Sequence, residues 1–285
     1  MEVSRLLEIR GVFQVAAEHV VHAPPSLFGG LGVRRAFGFD VAEPEPVRRN
    51  KIPGGTVKIV FALDGTVDGV RRDPSVLVIG MHDRGTTATH VGRMHSVQVQ
   101  LGPLAARRLL GVPLSEFRNS AVCLDDLFGP SARGLAERLA ETARWDERFA
   151  LVADYLRTHG AHADIDPIVA AAVDSLHATR GAATVAELVA ETGWSRRHFA
   201  RRFGDQVGLS PKAYASLTRF DTALAWLTAA DRDRAPDLGQ LADRLGYYDQ
   251  SHLTRDFHRF AGTTPGRLLL RHMSPSSKTT PAADS

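Results

Sequence analysis

Ser195-Arg-Arg-His-Phe-Ala-Arg-Arg-Phe203 and Asp249-Gln-Ser-His-Leu-Thr-Arg-Asp-Phe257 are two copies of one pattern, and they decide how the C-terminal part is read. His198 matches His252, Arg201 matches Arg255 and Phe203 matches Phe257, at a constant offset of 54 residues. The same offset carries Gly208 and Pro211 onto Gly262 and Pro265. Upstream the offset is 53, taking Val185 to Leu238, Leu188 to Leu241 and Gly193 to Gly246. The second copy has therefore gained one residue in the turn after Gly246.

Each copy reads as helix, turn, helix. Thr184 with Glu187 three residues on is a capping box, and Val185, Leu188 and Val189 form the first helix's apolar face. Gly193 suits the left-handed position that ends a helix, and Ser195 caps the next one. Phe199 and Phe203 face inward there, while Arg196, Arg197 and Ala200 face outward with Arg201 at their border. In the second copy Leu238, Leu241 and Ala242 face inward, Gly246 ends the helix and Asp249 caps the next. Leu253 and Phe257 point to the core; Gln250, Ser251, Thr254 and Arg255 point away. Ser210-Pro211 and Thr264-Pro265 each start a further helix, a capping hydroxyl followed by proline at the first position.

A helix over Pro211–Ala229 joins the copies, with Tyr214, Leu217, Phe220, Leu224 and Leu227 along one side. At roughly 1.5 Å per residue it spans about 28 Å, near the roughly 34 Å of one DNA turn. An opening helix from Asp166-Pro167 to about Ala178 carries Ile168, Val169, Ala172 and Leu176 on its apolar face.

Outward sets of this kind suit base reading. Arginine can donate twice to guanine O6 and N7, glutamine reads adenine, and serine or threonine meets either a base edge or a thymine methyl. Lys212, Arg219, Arg259 and the helix N-termini are candidates for phosphate contacts, which position without reading. An arginine-rich helix taken alone is as a rule a solvated face, and a lone helix-turn-helix pattern has frequent false positives. Duplication in register, with caps and turn glycines, is what moves the reading to DNA. His198 and His252 are expected to pack or to bond backbone or phosphate rather than bind metal.

These residues resemble the AraC/XylS family of transcription regulators. The resemblance rests on Gly246-Tyr247, Asp249-Gln250-Ser251-His252, Arg255, Phe257 and Gly262-Thr263-Thr264-Pro265, and covers about Asp166 to Arg271. It implies an all-α domain of two tandem helix-turn-helix units that place recognition helices in successive major-groove segments. By position, the base-facing residues it implies are Arg196, Arg197, Ala200 and Arg201, then Gln250, Ser251, Thr254 and Arg255. Leu253 stands where the family often has phenylalanine, and Ala200 is too short to hydrogen-bond a base. The function implied is that of a sequence-specific DNA-binding transcription regulator controlled by a small-molecule effector.

Outward from the repeat, the N-terminal part changes period. Thr56–Phe61, Val76–Ile79 and Val97–Leu101 read as strands separated by Pro24-Pro25, Gly29-Gly30, Pro53-Gly54-Gly55 and Asp64-Gly65. Short strands so punctuated suggest a small barrel or sandwich. A short helix follows from Leu104 to near Gly111. Leu135, Leu139 and Ala143 mark one further helical face, and Trp145, Phe149, Val152 and Leu156 another. That last stripe is read either as packing on its own barrel or as a dimer seam. The Arg48-Arg49-Asn50-Lys51 run is expected to be a solvated loop. The expected fold is thus α+β: a small β-barrel, cupin-like by the family resemblance, with following helices, then the all-α domain. The expected division is 1–160, 161–273 and a disordered tail, 274–285.

The 285 residues are 44% hydrophobic and 24% charged, with net charge +3, ordinary for a globular protein. Met1–Arg10 carries Glu2 and Glu8 and no apolar run, so no leader is expected, and no apolar run approaches the length of a membrane span. Cys123 is the only cysteine. These features suit the cytoplasm. His82, His90 and His95 are scattered and the paired His-x-His with a following Glu is missing, so no metal or cofactor is expected. Double-stranded DNA is the expected partner; RNA polymerase, a small-molecule effector and a second copy of the chain are left open. An enzyme fused to such a module, transferring alkyl groups to cysteine, has only Cys123 to work with, without a cysteine cluster, an obvious base or a metal set. A pure interaction module with degenerate helices is the remaining alternative, since Asp249 and Asp256 lie near the second outward face and Asp256 would repel phosphate.

Overall fold

The computed structural model describes residues 20–67, 70–71, 74–123, 130–190, 192–229 and 237–268. The N-terminal stretch read for a leader and the expected tail lie outside them. The described strands are β1 (Val20–His22), β2 (Val33–Lys51), β3 (Val57–Val67), β4 (Val70–Arg71), β5 (Ser75–Ile79), β6 (Thr86–Leu101) and β7 (Ala121–Cys123). They pair antiparallel in the order β1-β2-β6-β3-β5-β7, with β4 on β3. Val57, Ile59, Phe61 and Leu63 of β3 alternate onto one face beside Val97, Val99 and Leu101 of β6, all buried. β5 is buried at Val76, Leu77 and Val78, as a short unbroken apolar run requires. The pairing path ends at β1 and β7 without joining them among the described residues. Among the described residues, helices pack on this sheet.

β2 differs most from expectation. It runs for 19 residues through Pro44 and Pro46. Proline has no N–H to give a ladder, and the structure absorbs both at a bulge: Glu43 pairs with Gly92, and the next register pair is Val47 with His90. Beyond the bulge, Arg48, Arg49, Asn50 and Lys51 lie opposite Thr89, Ala88, Thr87 and Thr86. The expected solvated loop is therefore ladder, because the threonine-rich half of β6 supplies a partner. Asp64-Gly65, read as punctuation, lies inside β3 at a register shift after Ala62.

The helices are α1 (Pro103–Leu110), α2 (Pro130–Glu141), α3 (Trp145–His159), α4 (Pro167–Ala178), α5 (Val185–Val189), α6 (Arg196–Val207), α7 (Pro211–Ala229), α8 (Leu238–Arg244) and α9 (Gln250–Ala261). α2 packs on β3 and β5, and α3 on β2. Ala143 lies past the end of α2 and is exposed, so it does not share the buried face of Leu135 and Leu139. The stripe on α3 is spent inside the protomer. Phe149, Val152 and Leu156 are buried, and Trp145 lies so close over Gly38 that a Cβ there would stand 2.1 Å from its ring. Beneath α3, Arg148 is 5% exposed, bonds His95 Nε2 at 2.9 Å and donates to the Leu139 carbonyl at 3.1 Å. Burial, seconded by the Arg148 and Arg93 charges, lowers the His95 pKa against the pull of Asp40 and Asp64.

The stretch between α3 and α4 lies against α1: Ala161 N–H donates to Leu109 O at 2.9 Å and Ala163 N–H to Arg108 O at 3.0 Å. Asp166 then caps α4, accepts from Arg202 at 3.1 Å and donates its own N–H to Gln206 Oε1 at 2.9 Å. One apolar cluster runs without a break from Ile59 and Val97 of the sheet to Phe199, Phe220 and Phe257 of the last helices.

Candidate nucleic-acid interface

Both copies are built as the capping chemistry demands. Thr184 Oγ1 accepts from Glu187 N–H at 3.2 Å, and Glu187 accepts from Thr184 N–H at 2.7 Å. α5 is only five residues long, and Val185, Leu188 and Val189 are half-buried against the core rather than fully inside it. Gly193 is left-handed, φ 70°, and Ser195 accepts from His198 N–H at 3.2 Å. In the second copy, Asp237 caps α8 by accepting from Gly239 and Gln240 N–H at 2.8 and 3.1 Å. Gly246 is left-handed, φ 69°, and Asp249 accepts from His252 N–H at 2.6 Å.

The two longer helices present comparable faces. Phe199 and Phe203 of α6 and Leu253 and Phe257 of α9 are fully buried. Arg196, Arg197 and Arg201 are exposed, with Ala200 half-buried among them. Gln250, Ser251 and Arg255 are exposed, with Thr254 half-buried. Thr254 Oγ1 donates back to Gln250 O at 2.9 Å, and Arg255 Nε to Ser251 O at 3.4 Å. The terminal nitrogens of Arg255 thus project from a stem already anchored to its helix. The repeated histidines pack edge-on against repeated aromatics: Trp194 with His198 at 4.6 Å and 86°, Tyr247 with His252 at 5.1 Å and 87°.

Three charged residues stand elsewhere than expected. Arg219, read as a phosphate contact, donates to Gly181 O at 2.8 Å and lies over the Tyr247 ring at 5.5 Å. Arg259, read likewise, donates through Nε to Asp83 O at 2.7 Å, and its own carbonyl accepts from Gly85 N–H at 2.8 Å. Asp256 is 6% exposed and sits under α9, not on its outer face. Burial raises its pKa against the pull of His252, Arg219 and Arg259. Charge is visible in a sequence and depth is not. Lys212 is exposed.

The outer faces are held from behind by one segment of the sheet domain. Asp83 bonds Arg118, accepts from Asn119 Nδ2 at 3.1 Å and pairs with Arg259 at 3.6 Å. On the other copy, Ser115 Oγ donates to Asp205 at 3.1 Å, and Gly208 lies against Leu114 and Met81. Sequence reasoning missed this junction and also Tyr248, which is 91% exposed in the turn before α9. Its one signal was the change of repeat offset from 53 to 54.

The family described as helix-turn-helix domain matches residues 188–271, and a domain of unknown function, DUF6597, matches residues 33–123. Two curated proteins named as AraC-like transcription regulators, from Streptomyces antibioticus and Streptomyces lividans, are each 34% identical over 102 residues. The chain carries an AraC-type helix-turn-helix domain. That stretch is 35% of this chain and 32% of each relative, so the chain spans about a third of the length of the curated relatives it matches. Two solved structures of ToxT from Vibrio cholerae are also similar. One has TM-score 0.43 and 11% identity over 82% of this chain and 97% of that one. The other, with unsaturated fatty acid bound, has TM-score 0.44 and 13% identity over 82% and 94%. The AraC-type domain holds both outward faces described above. Among the described residues no helix is long and apolar enough to cross a membrane, and no group of three His, Cys, Asp or Glu is placed to hold a metal ion.

Proposed function

We propose that this chain is a sequence-specific DNA-binding transcription regulator of the cytoplasm, without catalytic activity, and that residues 161–273 form its DNA-binding domain. The observation that carries the reading is the pair of outward polar faces on α6 and α9, each backed by buried apolar side chains and each belonging to the AraC-type domain. Arg196, Arg197 and Arg201 would meet guanine edges or phosphates, and Ala200 a thymine methyl. Gln250 suits adenine, Ser251 and Thr254 suit either strand's edges, and Arg255 suits guanine. Residues 1–160 serve as the sensor and dimerisation domain, whose small-molecule effector biases the DNA-competent arrangement. RNA polymerase and a second copy of the chain are the protein partners such a regulator uses.

The test is selection of genomic fragments by the purified chain at near-physiological salt, then footprinting of the best fragment. Two protected major-groove segments about one turn apart are expected, lost in the double variant Arg201→Ala and Arg255→Ala. Binding that ignores salt, or survives the double variant, refutes the reading.

A further inference from the structure

We infer that Tyr248 is a further DNA contact, its phenolic O–H donating to a backbone phosphate at the rim of the groove that α9 enters. This rests on the DNA-binding reading above. Tyr248 is 91% exposed, against 37–44% for Val21, Val91 and Trp226, the other exposed large apolar side chains among the described residues. It is also the residue by which the second copy exceeds the first. Trp194 matches Tyr247 and Ser195 matches Asp249, so nothing in the first copy answers to Tyr248.

Its neighbours are fixed on both sides. Tyr247 is buried, packed on His252 and under Arg219. Asp249 is held as the cap of α9. The Tyr248 N–H itself points to His252 Nδ1 at 3.5 Å. The backbone that carries the exposed ring is thus anchored on both sides, so the ring's point of attachment is set before any contact outside the chain, and preordering lowers the cost of binding. The contact it fits follows from position. Gln250 and Ser251, directly after it, are exposed on the candidate base-reading face. Recognition helices turn their first residues to the base edges, so the turn just before them stands at the sugar–phosphate wall. Tyrosine hydroxyls are among the groups that bond phosphates there.

The test uses the full chain and the fragment selected above, with Tyr248→Phe, Tyr248→Ala and a single uncharged methylphosphonate walked through the second protected segment. Loss of the hydroxyl in Tyr248→Phe is expected to weaken binding about three- to tenfold, with Tyr248→Ala at least as weak and thermal unfolding unchanged in both. One methylphosphonate position should weaken the unaltered chain and leave Tyr248→Phe no weaker than before. Loss in Tyr248→Ala with none in Tyr248→Phe overturns the phosphate bond. If both variants bind like the unaltered chain on DNA that still requires Arg255, Tyr248 makes no DNA contact and the inference fails while the DNA reading stands. If the unaltered chain selects no DNA, both fail.

Discussion

Asp83 joins the sheet domain to the AraC-type domain, and its replacement should be costly although it lies behind the outward faces rather than on them. Its side chain is 10% exposed and bonds Asn119 and two arginines, Arg118 and Arg259, whose side chains are 47% and 41% exposed. In Asp83→Ala the half-exposed Arg118 can return to water and Arg259 keeps its bond to the residue-83 carbonyl, so neither is left as a buried unpaired charge. What is lost is one charge-assisted bond screened at the surface, about 1.5 kcal/mol, the amide bond from Asn119, about 1 kcal/mol, and the longer Arg259 pair, about 0.5 kcal/mol. The expected cost is about 3 kcal/mol for the set, with a smaller cost for Asp83→Asn. Urea unfolding of the full chain measures it, with exposed Asp154→Ala as the reference. The pH dependence adds a second reading. Burial pushes the Asp83 carboxyl up, but the bonds from Arg118 and Asn119 and the charges of Arg118 and Arg259 hold it below its ordinary 3.8. The unfolded chain therefore binds more protons in that window, and Asp83 stabilises the fold above pH 3.8 and ceases to as pH falls through the lower folded value. A midpoint shift in Asp83→Ala no larger than in Asp154→Ala would refute the junction as a stabilising element.

Phe257→Ala should cost about 3–5 kcal/mol in unfolding experiments, since Phe257 is fully buried with its ring 4.9 Å from Phe220. Arg255→Ala should leave stability within about 0.5 kcal/mol and weaken operator binding by about 1–3 kcal/mol; equal destabilisation by both would make Arg255 structural. Asp256→Asn should be neutral or stabilising at pH 7, because burial disfavours the ionised carboxylate, and the gain should shrink as pH falls below the raised folded pKa and be gone below the ordinary 3.8. A marked loss of stability at pH 7 would show the charge to be needed by Arg219. Because the His95 pKa is lowered in the fold, the unfolded chain takes up its proton first, and stability should decline as pH falls below 6.5. His95→Gln should flatten part of that decline in urea midpoints measured across pH; an unchanged slope contradicts the buried neutral imidazole.

Local chemistry was legible wherever one residue type answers one backbone need. Ser210-Pro211 marked the start of α7, the Thr184–Glu187 pair marked α5, and Gly193 and Gly246 marked turns that need a left-handed residue. The inward aromatics followed from helical spacing. What was not legible depends on partners distant in sequence. Pro44 and Pro46 argue against a strand until Gly92 and His90 are seen to take up the bulge. Arg259 looks like a phosphate contact until Asp83, 176 residues away, is found beside it. For the candidate interface, the helical wheel named the eight outward residues, and the structure leaves six of them exposed, with Ala200 and Thr254 half-buried. The phosphate contacts could not be chosen the same way, because a wheel cannot tell a surface cation from one already engaged.

The segment from Met81 to Asn119 touches the far end of α6 through Leu114 and Ser115 and the far end of α9 through Asp83 and Gly85. The helix-turn-helix part is therefore seated on the sheet domain rather than tethered to it. A tether passes on a signal by slackening, and each reading helix could then let go independently. A shared seat passes on displacement, so a shift of this segment moves both helices together. Under the proposed function, occupancy of the two halves of an operator would then rise and fall as one event, and an effector would act by tilting the seat, with no need to alter any residue proposed to meet a base.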